Sequence, residues 1–161
     1  MNGQLRAPRP SDEATALRMQ KQRQKDTVCE LALRRLLHAR GLRYRVDCRA
    51  EPSVPRKADI VLRPAKIAVF VDGCFWHRCP VHWKAPRTNS DWWEQKIARN
   101  VERDLQTTKI LEAQGWLVIR VWEHEDPRVA ADEILRAVSR RRPRGAKLQC
   151  TSNLEAKGRG R

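Results

Sequence analysis

Residues 66–83 read KIAVFVDGCFWHRCPVHW, and two halves of different character meet at Gly73. The run Ile67–Val71 is unbroken apolar, which predicts a short strand buried on both faces rather than one that alternates between core and water. From Gly73 to Trp83 come two cysteines, two histidines, two tryptophans and a phenylalanine, in a chain with five, four, six and two of these types. Such a loop could line a core, bind a metal, meet nucleic acid or carry out chemistry. The residues support an overlap of the last three.

Upstream, DTVCELALRRLLHARG sets Val28, Leu31, Leu33, Leu36 and Leu37 on one broad face and stops at Gly41. That spacing predicts a helix over Thr27–Arg40. LRYRVDC (42–48) alternates apolar and polar residues and predicts a half-buried strand, and ADIVL (58–62) predicts a second. Downstream, Trp93, Ile97, Val101, Leu105, Thr108 and Leu111 recur at three- and four-residue spacing, predicting a helix from about Asp91 to Gln114 that Gly115 ends. WLVIRVWEH (116–124) is a fourth strand, and Asp126 with Pro127 opens a last helix. The order α-β-β-β-α-β-α predicts an α/β protein with a mixed β-sheet flanked by helices.

The chain of 161 residues suffices for one domain with a substantial core. Its net charge of +15 is unevenly spread. Residues 26–138 hold 20 Lys and Arg against 16 Asp and Glu, while residues 1–25 contribute +4 and residues 139–161 contribute +7. Basic arms attract polyanions, nucleic acid above all, although solvated tails have the same composition. The domain plan read from this is a disordered basic arm over 1–17, a folded domain over 18–140 and a disordered basic tail over 141–161. Neither an apolar leader nor a run of about 18 apolar residues is present, so a cytoplasmic protein without a membrane span is expected. An odd number of irregularly spaced cysteines argues against a disulfide framework and for metal or catalysis.

Cys74-x4-Cys79-x2-His82, with His124 at the end of the fourth strand, offers a tetrahedral zinc set. His77 is within reach of the same set, and buried thiols with surface imidazoles would also account for these residues. If His77 is left over, its neutral imidazole can accept a proton from water near pH 7. Asp59 and Asp72, at strand ends, are hard oxygen donors suited to Mg²⁺, although turn capping explains an Asp at a strand start equally well. Thr27-x-x-Glu30 forms a capping box, which accounts for Glu30 without chemistry. Five of nine aromatics, Phe75, Trp76, Trp83, Trp92 and Trp93, lie among charges and prolines, where they could stack on bases or wedge between base pairs. Trp93 fits the helix stripe equally well.

FVDGCFWHRCPVH, PRTNSDWWEQKIARNVERD and GWLVIRVWEHE, together with DTVCELALRRLLHARGLRYRV, closely resemble the very-short-patch repair (Vsr) endonucleases over about residues 18 to 125. The resemblance implies a restriction-endonuclease-like fold with structural zinc. It also implies a Mg²⁺-dependent nick in double-stranded DNA beside the thymine of a T:G mismatch, the product of 5-methylcytosine deamination. By position, Asp59 resembles the Mg²⁺ carboxylate, with the Val71 carbonyl as a further ligand, His77 the general base and Glu30 its supporting acid. Cys74, Cys79 and His124 fall on zinc-ligand positions, and His82 fits a variant spacing of the fourth. Phe75, Trp76 and Trp93 match residues that wedge into DNA, and Met19 aligns with a further wedge from the N-terminal arm. The family further implies cooperation with MutL, a monomer and a nucleoid-associated place in the bacterial cytoplasm.

Two positions depart from what some family members carry: Ala58 stands where some have a proline before the catalytic aspartate, and Asp72 stands where some have histidine. Three alternatives remain: a restriction-type nuclease of the same fold without mismatch preference, a zinc-containing DNA-binding module that cuts nothing, and a ribonucleoprotein or ribosome-associated factor, which the basic tails alone would permit.

Overall fold

The computed structural model describes residues 26–141. The order is α1 (Val28–Ala39), β1 (Arg45–Cys48), β2 (Ala58–Leu62), a 3₁₀ turn (Arg63–Ala65), β3 (Ile67–Asp72), α2 (Ser90–Ala113), β4 (Leu117–Trp122) and α3 (Pro127–Arg141). This is the expected mixed α/β order. The expected arm over 1–17, Met19 and the tail from residue 142 lie outside the described residues, and Arg141, expected to open the tail, instead ends α3. Among the described residues no helix is long and apolar enough to cross a membrane.

The sheet order is β1-β2-β3-β4. β2 is antiparallel to both β1 and β3, whereas β3 and β4 run parallel, from Ile67 opposite Leu117 to Asp72 opposite Trp122. A parallel pair needs a crossover, and α2 supplies it. β3 is covered on both sides, as its apolar run requires. Ile67 and Val69 pack with Leu33 and Leu37 of α1 and Ile134 of α3, while Ala68 and Phe70 pack with Leu111 and Trp116.

Two glycines aim the chain from helix into sheet. Gly41 (φ +78) and Gly115 (φ +83) hold the left-handed conformation that an L side chain rarely adopts. Around each, the helix's last carbonyls are bonded in one pattern: Gly41 N–H to His38 and Leu42 N–H to Leu37, then Gly115 N–H to Glu112 and Trp116 N–H to Leu111. Leu37 with Leu42, and Leu111 with Trp116, are buried pairs, so each cap is also a packing contact.

Three sequence expectations need correction. Val28 is 84 % exposed, because it sits in the first turn of α1, outside both core clusters. β1 begins at Arg45, not Leu42, and its alternation fails at the exposed Val46, next to Asp47 with φ +46. On α2 the buried positions are Ile97, Thr107 and Leu111, while Leu105 is 58 % exposed. The inward line runs Trp93, Ile97, Asn100, Asp104, Thr107, Leu111, so Asn100 shares the half-buried level with Val101 and Asp104 takes the position that hydrophobicity alone gave to Leu105.

Ile97→Ala, which empties a 0 % exposed position, is expected to cost about 2–5 kcal/mol in chemical denaturation. Leu105→Ala on the same helix is expected to cost below about 1 kcal/mol. Equal losses would contradict this facing of α2.

Candidate active site and metal centre

Antiparallel β2–β3 and parallel β3–β4 pairing put the start of β2 and the ends of β3 and β4 at one edge of the sheet. Asp59 and Asp72 therefore share that edge with the residues following Trp122. Glu123 N–H bonds to the Asp72 carbonyl at 2.9 Å, and the Cys29 thiol donates to the Glu123 carbonyl at 2.8 Å, which brings the first turn of α1 to the same edge.

The β2–β3 ladder pairs residues up to Ile60 opposite Val69, and beyond that the Asp59 side chain takes over. Its Oδ2 accepts the Val71 N–H at 2.7 Å. Burial pushes the Asp59 carboxyl up to about 6; the Val71 N–H opposes this, Glu30 and Asp72 add to it and Arg34 offsets part. Glu30 is 5 % exposed and does the capping its spacing predicts. Its N–H bonds to the Thr27 hydroxyl, and its carboxylate accepts from that hydroxyl and from the Asp26 N–H. It also pairs with Arg34 at 2.9 Å. Structural and electrostatic roles thus coincide in Glu30, because the helix it caps starts beside Asp59.

On the other side of Asp72 is a second network. His77 Nδ1 lies 2.5 Å from Asp104 Oδ2 and 3.6 Å from Asp72 Oδ1. Burial disfavours the His77 cation, but the Asp104 hydrogen bond and the charges of Asp72 and Asp104 outweigh it and raise the pKa. Burial would raise Asp104 too, yet His77 and Arg120 hold it below the usual carboxylate range. An ionised Asp104 can only accept, so Nδ1 carries the proton and Nε2 remains free to take one. Asp72, 3 % exposed, has both oxygens on Arg120, at 2.6 and 2.8 Å.

His77 is thus engaged with α2, and the metal-type cluster forms without it. The ligand atoms of Cys74, Cys79, His82 and His124 lie within 4.8 Å of one another. Cys74 Sγ is 3.1 Å from His124 Nδ1, and Cys79 Sγ is 3.8 Å from both His82 Nδ1 and His124 Nδ1. Ligands about 2.0–2.3 Å from one tetrahedral zinc stand at about such separations from each other. Burial, the neighbouring Cys79 and Glu123 push the Cys74 thiol up to about 12. Ionising the Cys74 thiol in this setting calls for a cation, so the Cys2His2 donor set suits a divalent metal of zinc's kind.

The next turn carries the aromatics. Phe75 meets Trp76 and Trp93 edge-on, each at 5.2 Å between ring centroids, and Trp93 meets Trp92 at 4.7 Å. Trp93 belongs to this half-buried group and to neither core cluster. Asn100 on α2 donates to the Trp76 carbonyl at 3.1 Å and so holds the aromatic loop against the helix.

Sequence reasoning missed Asp104 and Arg120. Their signals were present: a carboxylate on the inward line of α2, and a charge inside the apolar strand LVIRVW. Each demanded a buried partner.

Residues 11–84 match the family model described as DNA mismatch endonuclease Vsr. Type II nicking enzyme V.NaeI of Lentzea aerocolonigenes is 46% identical over 121 residues, covering 74% of this chain and 73% of that one. Type II nicking enzyme V.XorIIP of Xanthomonas oryzae pv. oryzae is 39% identical over 119 residues, with 73% and 85% covered. DNA mismatch endonuclease Vsr of Escherichia coli (strain K12) is 38% identical over 100 residues, or 62% of each chain. With that identity and coverage, and with the motif loop of residues 73–82 inside the matched segment, the chain belongs to the Vsr family of DNA mismatch endonucleases.

Proposed function

We propose that this protein nicks one strand of double-stranded DNA beside the thymine of a T:G mismatch, by magnesium-dependent phosphodiester hydrolysis, and so starts very short patch repair. In this reading the fold is of restriction-endonuclease type and the Cys74–Cys79–His82–His124 cluster holds structural zinc. The protein acts as a monomer in the bacterial cytoplasm, at the nucleoid, with MutL as a further partner. The supporting observation is the pairing, at one sheet edge, of a buried acid cluster with a histidine whose Nδ1 is turned to a carboxylate.

Asp26, Glu30, Asp72 and Asp104 form their arginine ion pairs with Arg34 and Arg120, and these two stand against five acids once Asp59 is included. A pocket this acidic repels a phosphodiester unless a cation enters. Glu30 and Asp72 are taken by their arginines, which leaves Asp59, with the Val71 carbonyl, to hold magnesium. Bound there, magnesium would neutralise the scissile phosphate and the leaving oxygen. His77 receives the proton of the attacking water at Nε2, while Asp104 keeps Nδ1–H in place and stabilises the imidazolium that forms. Cleavage leaves 5′-phosphate and 3′-hydroxyl ends. Phe75, Trp76 and Trp93 enter beside the wobble pair, where stacking is weakest and deformation costs least, so selection rests in part on deformability. Met19 is a further wedge in this reading, and the basic arms add sequence-independent attraction to phosphates.

The decisive assay compares T:G and C:G duplexes of one sequence, with and without Mg²⁺. Nicking confined to T:G with metal is expected. Equal cutting would replace mismatch repair with a restriction-type activity, and binding without cutting under any divalent metal would leave a recognition module.

Asp59→Asn is expected to abolish nicking and yet to stabilise the metal-free protein by about 1–2 kcal/mol at pH 7, after allowing for partial exposure. Its folded pKa is raised from 3.8 to about 6, so the folded state favours the protonated acid. The wild type therefore loses this contribution as pH rises from about 4 through 6, and the asparagine variant does not. Thermal melts across that range with chelator present test it; a less stable variant would overturn it.

Cys79→Ser, or stripping zinc with a chelator, is expected to lower both melting temperature and nicking, with about one zinc per chain lost on elemental analysis. Full activity in zinc-free protein would refute the structural-zinc assignment.

A further inference from the structure

Arg120 stands between the two carboxylates that compete for one histidine proton. Its Nε and Nη2 bond to Asp72 at 2.6 and 2.8 Å, and Nη2 lies 3.3 Å from Asp104 Oδ1. Asp104 therefore uses Oδ1 toward Arg120 and Oδ2 toward His77, which fixes the plane of its carboxylate. The guanidinium is itself fixed, 5.2 Å above the Phe70 ring, because Arg120 lies opposite Phe70 in the parallel register. Asp72 Oδ1 is only 3.6 Å from His77 Nδ1 and would serve as an alternative acceptor.

We propose that Arg120 is a positioning residue for the reaction: by occupying both oxygens of Asp72 and one of Asp104, it makes Asp104 the sole acceptor for His77 Nδ1–H and so fixes where Nε2 points. This rests on the functional reading above. Without Arg120, the buried Asp72 charge has no guanidinium and draws the ring proton to itself, which turns Nε2 away from the attacking water. An arginine is needed here because a lysine has a single ammonium and cannot span both carboxylates in a plane.

The test uses the full chain labelled with ¹⁵N-histidine. The deshielded Nδ1–H proton of His77 is assigned by its absence in His77→Gln, and single-turnover nicking and affinity for a T:G duplex are measured alongside. Arg120→Gln is expected to shift or abolish that resonance and to slow nicking about 10- to 100-fold, with DNA affinity changed by less than about twofold. Arg120→Lys is expected to restore only a minor part, and it carries the same reading should Arg120→Gln fail to fold. Removing the competitor as well, in Asp72→Asn/Arg120→Gln, is expected to bring back the resonance and most of the rate. A purely structural role predicts the opposite, with the double variant as impaired as the single. An unchanged resonance in folded Arg120→Gln or Arg120→Lys, a rate loss matched by lost affinity, or no recovery in the double variant overturns the proposal. Absence of nicking by the wild type on every duplex would defeat the functional reading instead, and the resonance would still report on Arg120.

Discussion

Everything at the functional end depends on β3 and β4 ending side by side, Asp72 opposite Trp122, with the Glu123 N–H on the Asp72 carbonyl. The register delivers Cys74 and His124, fifty residues apart, to within 3.1 Å. It also puts Arg120 two positions before the end of β4, level with Phe70 and within reach of Asp72. A shift of one residue would turn Arg120 to the opposite face of the sheet and leave Asp72 buried and unpaired. The metal cluster and the acid network are thus two consequences of one strand pairing, and α2, the crossover that pairing requires, carries Asp104 and Trp93 to the same place.

Part of the site, Asp59 and Cys74, is held against its electrostatics, whereas His77, Asp104 and Arg120 support one another's charge. Burial, with the charges of Glu30 and Asp72, disfavours the Asp59 carboxylate, and the Cys74 thiol is pushed far above its ordinary value by burial and by Cys79. The stability comes from the two apolar layers, Leu33, Leu37, Ile60, Ile67 and Ile134 on one face and Val61, Ala68, Leu111 and Trp116 on the other. Groups that are costly without a cation, on a scaffold able to bear the cost, are the arrangement expected of a site that works with metal and a polyanion.

Much of this was legible in the chain. The unbroken run Ile67–Val71, the helix stops at Gly41 and Gly115, and the Asp126-Pro127 helix start are local signals, set by backbone sterics and periodic burial, and they placed the three helices and four strands to within a few residues, though not the 3₁₀ turn Arg63–Ala65. The Cys and His spacing was legible for a related reason, since donors a few residues apart on one loop meet whatever the rest of the chain does. The aromatic group and the Thr27–Glu30 capping box were local as well.

What the tertiary structure alone decided were the choices between near-equivalent candidates. His82 rather than His77 joins the cysteines, because Asp104 on α2 engages the His77 ring. The inward face of α2 takes in Asn100 and Asp104 and leaves Leu105 exposed, because the loop carbonyl of Trp76 and the His77 ring offer those polar side chains partners. Asp72, open on sequence grounds to metal or water, is claimed by Arg120. Each outcome turns on which side chain a distant strand or helix presents within about 3 Å, and periodicity along one segment holds no record of that.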